Sequence, residues 1–315
     1  MTEKFMKYSI IVFLELDEMH KGSVQFIQNL HELFSNRQEP FEIIVITNGV
    51  GEFLKDKLMA FLIRHNTIKT LEFNTKTTQA VCLKAALEET SGEIMVVCGS
   101  YQQITNNSLL ELLDSLDSKT DIVTPWRQHR VDSVLNQFQS KLFNALVRKL
   151  TASSYHDTSC TVKVFRREVL EDVEIYGNMY RFLPILADQR GFKTKEIKCE
   201  HYQQHGKSTF YGLPQYINIF IDIFTLYFNT WFTRKPLRFF STIGLIFMLA
   251  GLLITAFIFV ERFLMNHLIG DRPFLLLAIF FMVLGVQAAS VGLLGEIIAF
   301  IHGRHRKEYT IEKII

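Results

Sequence analysis

Short apolar runs alternate with helically spaced apolar positions over residues 1–210. The runs predict buried strands at Tyr8–Leu14, Phe41–Ile46, Thr70–Phe73, Glu93–Val97, Asp121–Thr124, Thr161–Phe165 and Lys193–Glu200. The segments between them predict helices at Val24–Phe34, Gly51–His65, Thr78–Glu89, Asn106–Leu116 and 133–150, with a further helical stretch from Val169. This alternation is typical of an α/β fold, in which helices cover both faces of a mostly parallel sheet. Ligands of such folds bind beyond the carboxyl ends of the strands, where the polar turns at 47–51 and 98–103 are expected.

The pattern changes in the last third of the chain. Residues 239–260 and 273–295 carry no charge, and each run is long enough for a helix that crosses about 30 Å of hydrocarbon. A helix buried in a soluble core is the alternative, but two such runs joined by a short loop favour a membrane hairpin. We therefore expect a domain at 1–210, a juxtamembrane segment at 211–236, a hairpin at 237–303 with spans at about 239–261 and 273–301, and a tail at 304–315.

The juxtamembrane segment is rich in aromatic residues but is interrupted by Asn218, Asp222 and Asn229. A carboxylate at mid-bilayer costs about 2.5–3.5 kcal/mol, which argues against a third span. The segment predicts an interfacial helix, with a helix packed on the soluble domain as the alternative.

Basic residues flank both spans on the side away from the hairpin tip. Three basic residues precede the first span, namely Arg234, Lys235 and Arg238, and three follow the second, namely Arg304, Arg306 and Lys307. The loop between the spans holds only Arg262 and Arg272. The positive-inside rule then predicts that both termini are cytoplasmic. The N-terminus lacks the pattern of a cleaved signal peptide.

Composition adds little about partners. The net charge is +2, the charges are mixed, and no basic stripe indicates binding of nucleic acid. The spacing of the four cysteines is not typical of a zinc site. A reducing compartment argues against disulfides, so the cysteines are most simply interpreted as small buried apolar residues.

Four segments resemble a known family, and they occur in that family's order. Gly177–Pro184 resembles Gly-x-x-His-Arg-Phe-x-Pro, and His205–Ser208 resembles a Gly-Lys-Ser-Lys-Tyr loop. Asp157–Arg167 resembles an Asp-x-x-Gly-Phe-(Lys/Arg)-x-(Phe/Met)-Arg-Arg stretch, and Gly292–Glu296 resembles the turn of a last membrane helix. The family is the membrane-anchored branch of glycosyltransferase family 2, which includes dolichyl-phosphate mannose synthases and bactoprenol glucosyltransferases. The resemblance implies a nucleotide-diphospho-sugar transferase (GT-A) fold, with a nucleotide sugar as donor and a polyprenyl phosphate in the membrane as acceptor.

The resemblance also exposes a loss at the donor site. The family's fourth strand ends in Asp-x-Asp followed by Leu-Gln, and the two acids hold the Mg²⁺ or Mn²⁺ that neutralises the leaving diphosphate. Gln102 matches that Gln, so Cys98 and Ser100 stand where the two acids belong. A thiol and a hydroxyl do not make a Mg²⁺ site.

Acids are missing at two further strand ends. The nucleotide-binding Asp-Asp-Gly-Ser of the second strand is replaced by Thr47, Asn48, Gly49 and Val50. The first strand does not end in the family's Pro-x-x-Asn-Glu pattern. Glu15, Asp17 and Glu18 stand there instead, and they either provide replacement carboxylates or belong to an ordinary solvated loop.

The acceptor side is better preserved. The resemblance places Arg127 and Lys141 toward a lipid phosphate, with Asp157 near the acceptor entrance. His205, Lys207 and Ser208 fall in the loop that closes over the phosphates, where Gln203 and Gln204 occupy the position of the usual Arg. The alternative for Arg127 and Lys141 is an ordinary solvated basic surface. The alternative for Asp157 is a helix cap or an ion pair.

The function expected from the sequence is therefore a polyprenyl-phosphate sugar transferase homologue with a degenerate donor site. We expect no resident cofactor, reduced or absent metal-dependent transfer, and binding of a lipid phosphate or a partner protein. The alternatives are an active transferase with a diverged site, which would need Mg²⁺, Mn²⁺ or metal-free electrostatics, and a structural subunit of a glycan-assembly complex. Small residues such as Gly244, Gly251 and Gly285 would suit a homo-oligomer or contact with another membrane protein.

Overall fold

The computed structural model separates the chain into two compact units. One unit contains Met1–Asp222 with Tyr309–Ile315, and the other contains Ile223–Glu308. The structure describes residues 6–15, 22–48, 65, 67–128, 134–151, 153–202, 221, 224–225, 236–265 and 273–303. The predicted helix at 51–65 and most of the predicted interfacial helix at 211–236 lie outside these ranges.

The first unit is built on a seven-stranded mixed sheet, as the sequence predicts. Its strands are β1 (Tyr8–Glu15), β2 (Phe41–Asn48), β3 (Ile68–Phe73), β4 (Ile94–Cys98), β5 (Ile122–Gln128), β6 (Lys163–Arg166) and β7 (Thr194–Glu200). Its helices are α1 (Ser23–Ser35), α2 (Gln79–Glu89), α3 (Asn106–Asp114), α4 (Val134–Thr151), α5 (Arg167–Asp172) and α6 (Leu183–Gln189), with a 3₁₀ turn at Met179–Phe182. The strand order is β3-β2-β1-β4-β6-β5-β7. Every pairing is parallel except those of β6, which is antiparallel to both β4 and β5.

Apolar side chains cover both faces of the sheet. Ile10, Val12 and Leu14 of β1 join a core cluster with the apolar faces of α1 and α3. Ile11 and Phe13 point to the opposite face because side chains alternate along a strand, and both are buried. The sheet is therefore sandwiched between two apolar layers, and its polar chemistry is confined to its edges.

The antiparallel β6 brings the start of one strand beside the ends of its neighbours. Val97 pairs with Lys163, and Val123 of β5 pairs with Val164. The start of β6 therefore lies beside the carboxyl end of β4. Strand β5 is longer than the predicted Asp121–Thr124, since its pairing with β7 continues to Gln128. This extension places Arg127 within the sheet at the same edge.

The second unit contains two long apolar helices, α7 (Pro236–Met265) and α8 (Pro273–Gly303). Both are long and apolar enough to cross a membrane, judged by length and composition. A Cβ added at Gly244 would lie 2.6 Å from the Gly285 carbonyl oxygen, and one at Gly285 would lie 2.7 Å from the Gly244 carbonyl oxygen. The two backbones therefore touch at this pair of glycines. The Leu237 amide donates to Glu296 Oε2 at 3.2 Å, so this carboxylate caps the start of α7.

The substitution Gly285→Ala is expected to destabilise the hairpin, although alanine favours helix in water. The added methyl meets backbone that cannot rotate away, and overpacking of this kind costs about 1–3 kcal/mol. SDS titration of the full chain in detergent, followed by helical circular dichroism, measures the change. Leu294→Ala, at an exposed position of α8, is the control that should leave the midpoint unchanged. Equal midpoints for Gly285→Ala and the wild type would contradict the close contact.

Candidate functional site

The residue that ends β4 is a buried, neutral cysteine. Cys98 pairs with Val12 in the parallel ladder, is 1% exposed, and belongs to the apolar cluster that also holds Ile104 and Cys160. Burial, with a smaller contribution from Cys160, raises the pKa of Cys98 to about 12. The thiol therefore carries no charge at neutral pH and offers no anionic ligand.

The two other residues aligned with the metal motif serve the local structure. Ser100 is fully buried, and its carbonyl oxygen accepts a 2.6 Å hydrogen bond from Ser23 Oγ at the start of α1. Gln102 donates through Nε2 to the Ile104 carbonyl at 3.1 Å and to Asn106 Oδ1 at 2.9 Å. Gln102 thus secures the first turn of α3.

This set of donors does not fit Mg²⁺ or Mn²⁺. Those ions prefer several hard oxygen ligands, usually carboxylates, and the turn after β4 presents a neutral thiol and buried polar groups engaged with the protein. Across the described ranges, no group of three or more His, Cys, Asp or Glu side chains is placed to hold a metal ion. The side chain of Glu15 and all of Asp17 and Glu18 lie outside the described part of the chain.

Gln103, which the sequence does not single out, joins this turn to the start of β6. Its Oε1 accepts from the Thr161 amide at 2.8 Å and from Cys160 Sγ at 3.2 Å, and its Nε2 donates to Thr161 Oγ1 at 3.3 Å. An amide can donate and accept at once, which is why a glutamine suits this position. The signal available in the sequence was its place in the polar turn at 98–103, directly beside Gln102.

The residues predicted to bind the nucleotide are occupied with the backbone. Asn48 donates through Nδ2 to the Thr77 carbonyl at 2.8 Å and accepts from the Thr77 amide at 2.9 Å. Thr47 is buried, with Oγ1 3.5 Å from the Leu71 carbonyl. Asn48 thus holds the loop that leads into α2, whereas Thr47 contacts the neighbouring strand β3.

A buried ion pair organises the acceptor side. Arg127 Nε donates to Asp157 Oδ2 at 2.7 Å and Nη2 donates to Oδ1 at 3.1 Å. Ser159 Oγ donates to Asp157 Oδ1 at 2.8 Å, and both charged side chains are almost completely buried. The predicted phosphate-binding arginine is therefore already neutralised by the predicted entrance acid.

Helix α4 is held against the loop that carries Asp157. Asn144 Oδ1 accepts from Thr158 Oγ1 at 2.8 Å, and Ser140 Oγ lies 3.3 Å from Ser159 Oγ. Lys141 follows Ser140 on this helix and is exposed. The structure therefore brings Lys141 near the loop but leaves it in solvent.

A buried lysine is the second residue to which the sequence assigned no role, although it lies in the stretch that resembles the family's motif. Lys163 Nζ donates to the Cys160 carbonyl at 2.7 Å and lies 4.6 Å from the centroid of the Tyr180 ring. The Lys163 side chain is almost completely inaccessible. A lysine between apolar neighbours in a central strand is the signal that reveals it. His205, Lys207 and Ser208 lie outside the described residues.

The chain resembles known transferases over its whole length. Residues 24–174 match the model of Glycosyl transferase family 2. The undecaprenyl-phosphate 4-deoxy-4-formamido-L-arabinose transferase of Proteus mirabilis is 26% identical, over 99% of this chain and 95% of that protein. The enzyme of the same name from Yersinia enterocolitica is 27% identical, over 100% of this chain and 95% of that protein.

Solved structures show the same fold at lower identity. Glucosyl-3-phosphoglycerate synthase from Mycobacterium tuberculosis, in complex with Mn²⁺, UDP and phosphoglyceric acid, superposes with a TM-score of 0.53 at 14% identity. The match covers 71% of this chain and 78% of that chain. The seven-stranded sheet is thus of the GT-A type.

The family model, the relatives and the fold agree with the motifs found in the sequence. Residues 24–174 therefore form a glycosyltransferase family 2 domain, and the relatives that the chain resembles over almost its whole length are undecaprenyl-phosphate sugar transferases.

Proposed function

We propose that this protein transfers a sugar from a nucleotide donor to a polyprenyl phosphate without a divalent cation at the end of β4. The observation that carries the proposal is the neutral, buried Cys98 at a position where metal-dependent chemistry needs a carboxylate. The acceptor class is supported by relatives that match almost the whole chain and are named for undecaprenyl phosphate. The two apolar helices support an acceptor that resides in the membrane.

The proposed reaction needs charge stabilisation more than proton transfer. As the bond between sugar C1 and the diphosphate oxygen breaks, the electron pair goes to the diphosphate. A lipid phosphate oxygen forms the new bond to C1, and because that oxygen is already anionic no general base is required. The protein must then neutralise the leaving diphosphate with its own cations, since the described residues at β4 do not fit a metal ion.

On the acceptor side we propose separate roles for the two cations. Lys141 is exposed and is free to meet a lipid phosphate, whereas Arg127 is neutralised by Asp157. Arg127 and Asp157 then hold the loop of residues 157–159 in place. The loop with His205, Lys207 and Ser208 would close over the phosphates, and both termini would lie on the cytoplasmic side, where basic residues flank the spans.

A second candidate is a protein that binds the lipid phosphate without turnover. Neutral residues at the ends of both β2 and β4 favour it, since Asn48 and Cys98 are each committed to structural contacts. This candidate and the transferase agree that no metal acts at β4, and they differ in whether product forms.

The transfer reaction is expected to proceed equally well with EDTA and with Mn²⁺. The full chain in detergent, undecaprenyl phosphate and a panel of radiolabelled nucleotide sugars provide the assay, with extraction of labelled lipid as the readout. A metal-dependent homologue run in parallel should lose activity in EDTA. Product only in the presence of Mn²⁺ would contradict the proposal, and no product with any donor would favour the binding protein.

The double substitution Cys98→Asp/Ser100→Asp is expected to create Mn²⁺-dependent stabilisation by UDP. Two carboxylates restore the hard ligands that the ion prefers, while the surrounding turn stays tied to β6 through Gln103. Thermal unfolding with UDP, with and without Mn²⁺, measures the gain. Cys98→Asn/Ser100→Asn has the same shape without the charge and should show no metal effect. A wild type that already responds to Mn²⁺ would falsify the account of the site.

Substitutions of the two acceptor-side cations are expected to have different effects. Lys141→Met should weaken binding of undecaprenyl phosphate in micelles without changing the melting temperature. Arg127→Met should instead lower the free energy of unfolding by about 3–5 kcal/mol, because it leaves Asp157 buried without its partner. Lys149→Met, exposed two turns further along α4, is the control. Equal lipid binding by the Lys141 and Lys149 variants would contradict the role of Lys141.

A further inference from the structure

The side of helix α4 that packs on the domain is partly polar. Asn144 and Val147 of this side are buried. Asn144 Oδ1 accepts from Thr158 Oγ1 at 2.8 Å, and Ser140 Oγ lies 3.3 Å from Ser159 Oγ. Hydrogen bonds therefore hold much of this side against the loop, and several apolar residues of α4 are not needed there.

The opposite side of α4 is apolar. Ala145 and Leu146 are exposed, and 39% of the Leu146 surface is accessible. Helical spacings of three, four and seven residues put Leu135, Phe138 and Leu142 on this same side. A surface helix normally has its apolar side against the core, so α4 is the reverse of the usual arrangement. An exposed apolar side of this kind indicates an interaction surface.

The charge of α4 is entirely positive. Lys141 and Lys149 are exposed and Arg148 is partly exposed, on or beside the apolar side, and the helix contains no Asp or Glu. Within the described ranges none of the three cations forms an ion pair. Their long side chains can bury the stem along apolar surface while the charged end reaches a headgroup phosphate. An apolar side with such cations is typical of a helix that lies in the interface of an anionic membrane.

The rest of the chain favours a bilayer over a protein as the partner of α4. Helices α7 and α8 are each long and apolar enough to cross a membrane, so the domain would stay tethered to a lipid surface. A tethered surface is present at a high effective concentration, and a weak contact with it is then well populated. A second copy of α4 would instead bring like charges together, which is unfavourable.

We propose that the side of α4 containing Ala145 and Leu146 lies in the headgroup region of an anionic bilayer. Leu146 enters the boundary between headgroups and acyl chains, and the cations of α4 contact lipid phosphates. The contact holds Lys141 at the depth of those phosphates, where a polyprenyl phosphate presents its own. The contact itself requires no sugar transfer, so the proposal goes beyond the proposed function and does not depend on it.

Quenching of a fluorophore attached through Ala145→Cys tests the contact in the full chain, reconstituted in nanodiscs that hold one copy. The four native cysteines are buried, so the added thiol is labelled selectively. Lipids brominated in the acyl chain should quench this label, more strongly in discs with anionic lipid than in purely zwitterionic discs. Glu88→Cys, at an exposed position of α2, carries the control label and should not be quenched.

The quenching should also depend on the apolar character of this side. Leu146→Glu in the labelled chain should at least halve the quenching in anionic discs, because a carboxylate is repelled by the headgroups and is costly to bury. Leu146 is exposed, so the melting temperature should not change. Val81→Glu makes the same change at an exposed apolar position of α2 and is the matched control, which should quench like the parent.

Each outcome decides a separate point. No quenching of the label at position 145 in anionic discs overturns the proposal, and equal quenching in zwitterionic discs overturns the role of the cations. A label that is protected from iodide in water but not quenched by brominated lipid also overturns it, because another part of the chain then covers α4. Protection that appears only with two copies per disc assigns this side to a second copy instead.

Quenching that Leu146→Glu removes and Val81→Glu preserves supports the contact. This readout does not involve a nucleotide sugar. A chain that docks through α4 but forms no product would therefore refute the proposed transfer and leave the membrane contact in place.

Discussion

The buried ion pair between Arg127 and Asp157 holds together the acceptor side of the sheet's carboxyl edge. It joins the end of β5 to the loop before β6, and Ser159 closes the network. That loop carries the Cys160 carbonyl on which Lys163 rests. Breaking such a pair on one side leaves a buried charge and costs about 3–5 kcal/mol, so the pair holds the end of β5 firmly against the loop before β6.

The described residues at the end of β4 do not offer the ligands that a metal-dependent transferase needs. A metal site places carboxylates at the strand end and brings a cation from solution. Here the strand end is a neutral thiol in an apolar cluster. Burial lowers the pKa of Lys163 to about 8, because desolvation disfavours the charged form of the side chain.

The fold was largely predictable because apolar positions recur along the sequence with the spacing of buried strands and helices. The apolar runs of β1 and β2, the helical spacing of α1 and the two uncharged spans each predicted an element that the structure contains. Strand ends were less predictable, since β5 reaches Gln128 only through its pairing with β7, a distant part of the chain.

The site was predicted less completely, because the sequence alone does not show which distant side chains the fold brings into contact. The sequence assigned Arg127 and Asp157 to the acceptor side and left an ion pair open for Asp157, but it did not identify Arg127 as the partner. It also selected Gln102, which serves α3, and passed over Gln103 and Lys163, whose roles depend on the antiparallel contact of β6 with β4.

The central claim is that the end of β4 handles a diphosphate without a divalent cation. The most direct measurement is electron paramagnetic resonance of Mn²⁺ titrated into the wild-type protein with a nucleoside diphosphate. The account predicts the same spectrum as for Mn²⁺ and the nucleotide without protein, at every ratio. A protein-bound Mn²⁺ signal that disappears on substitution of Ser100 would contradict it.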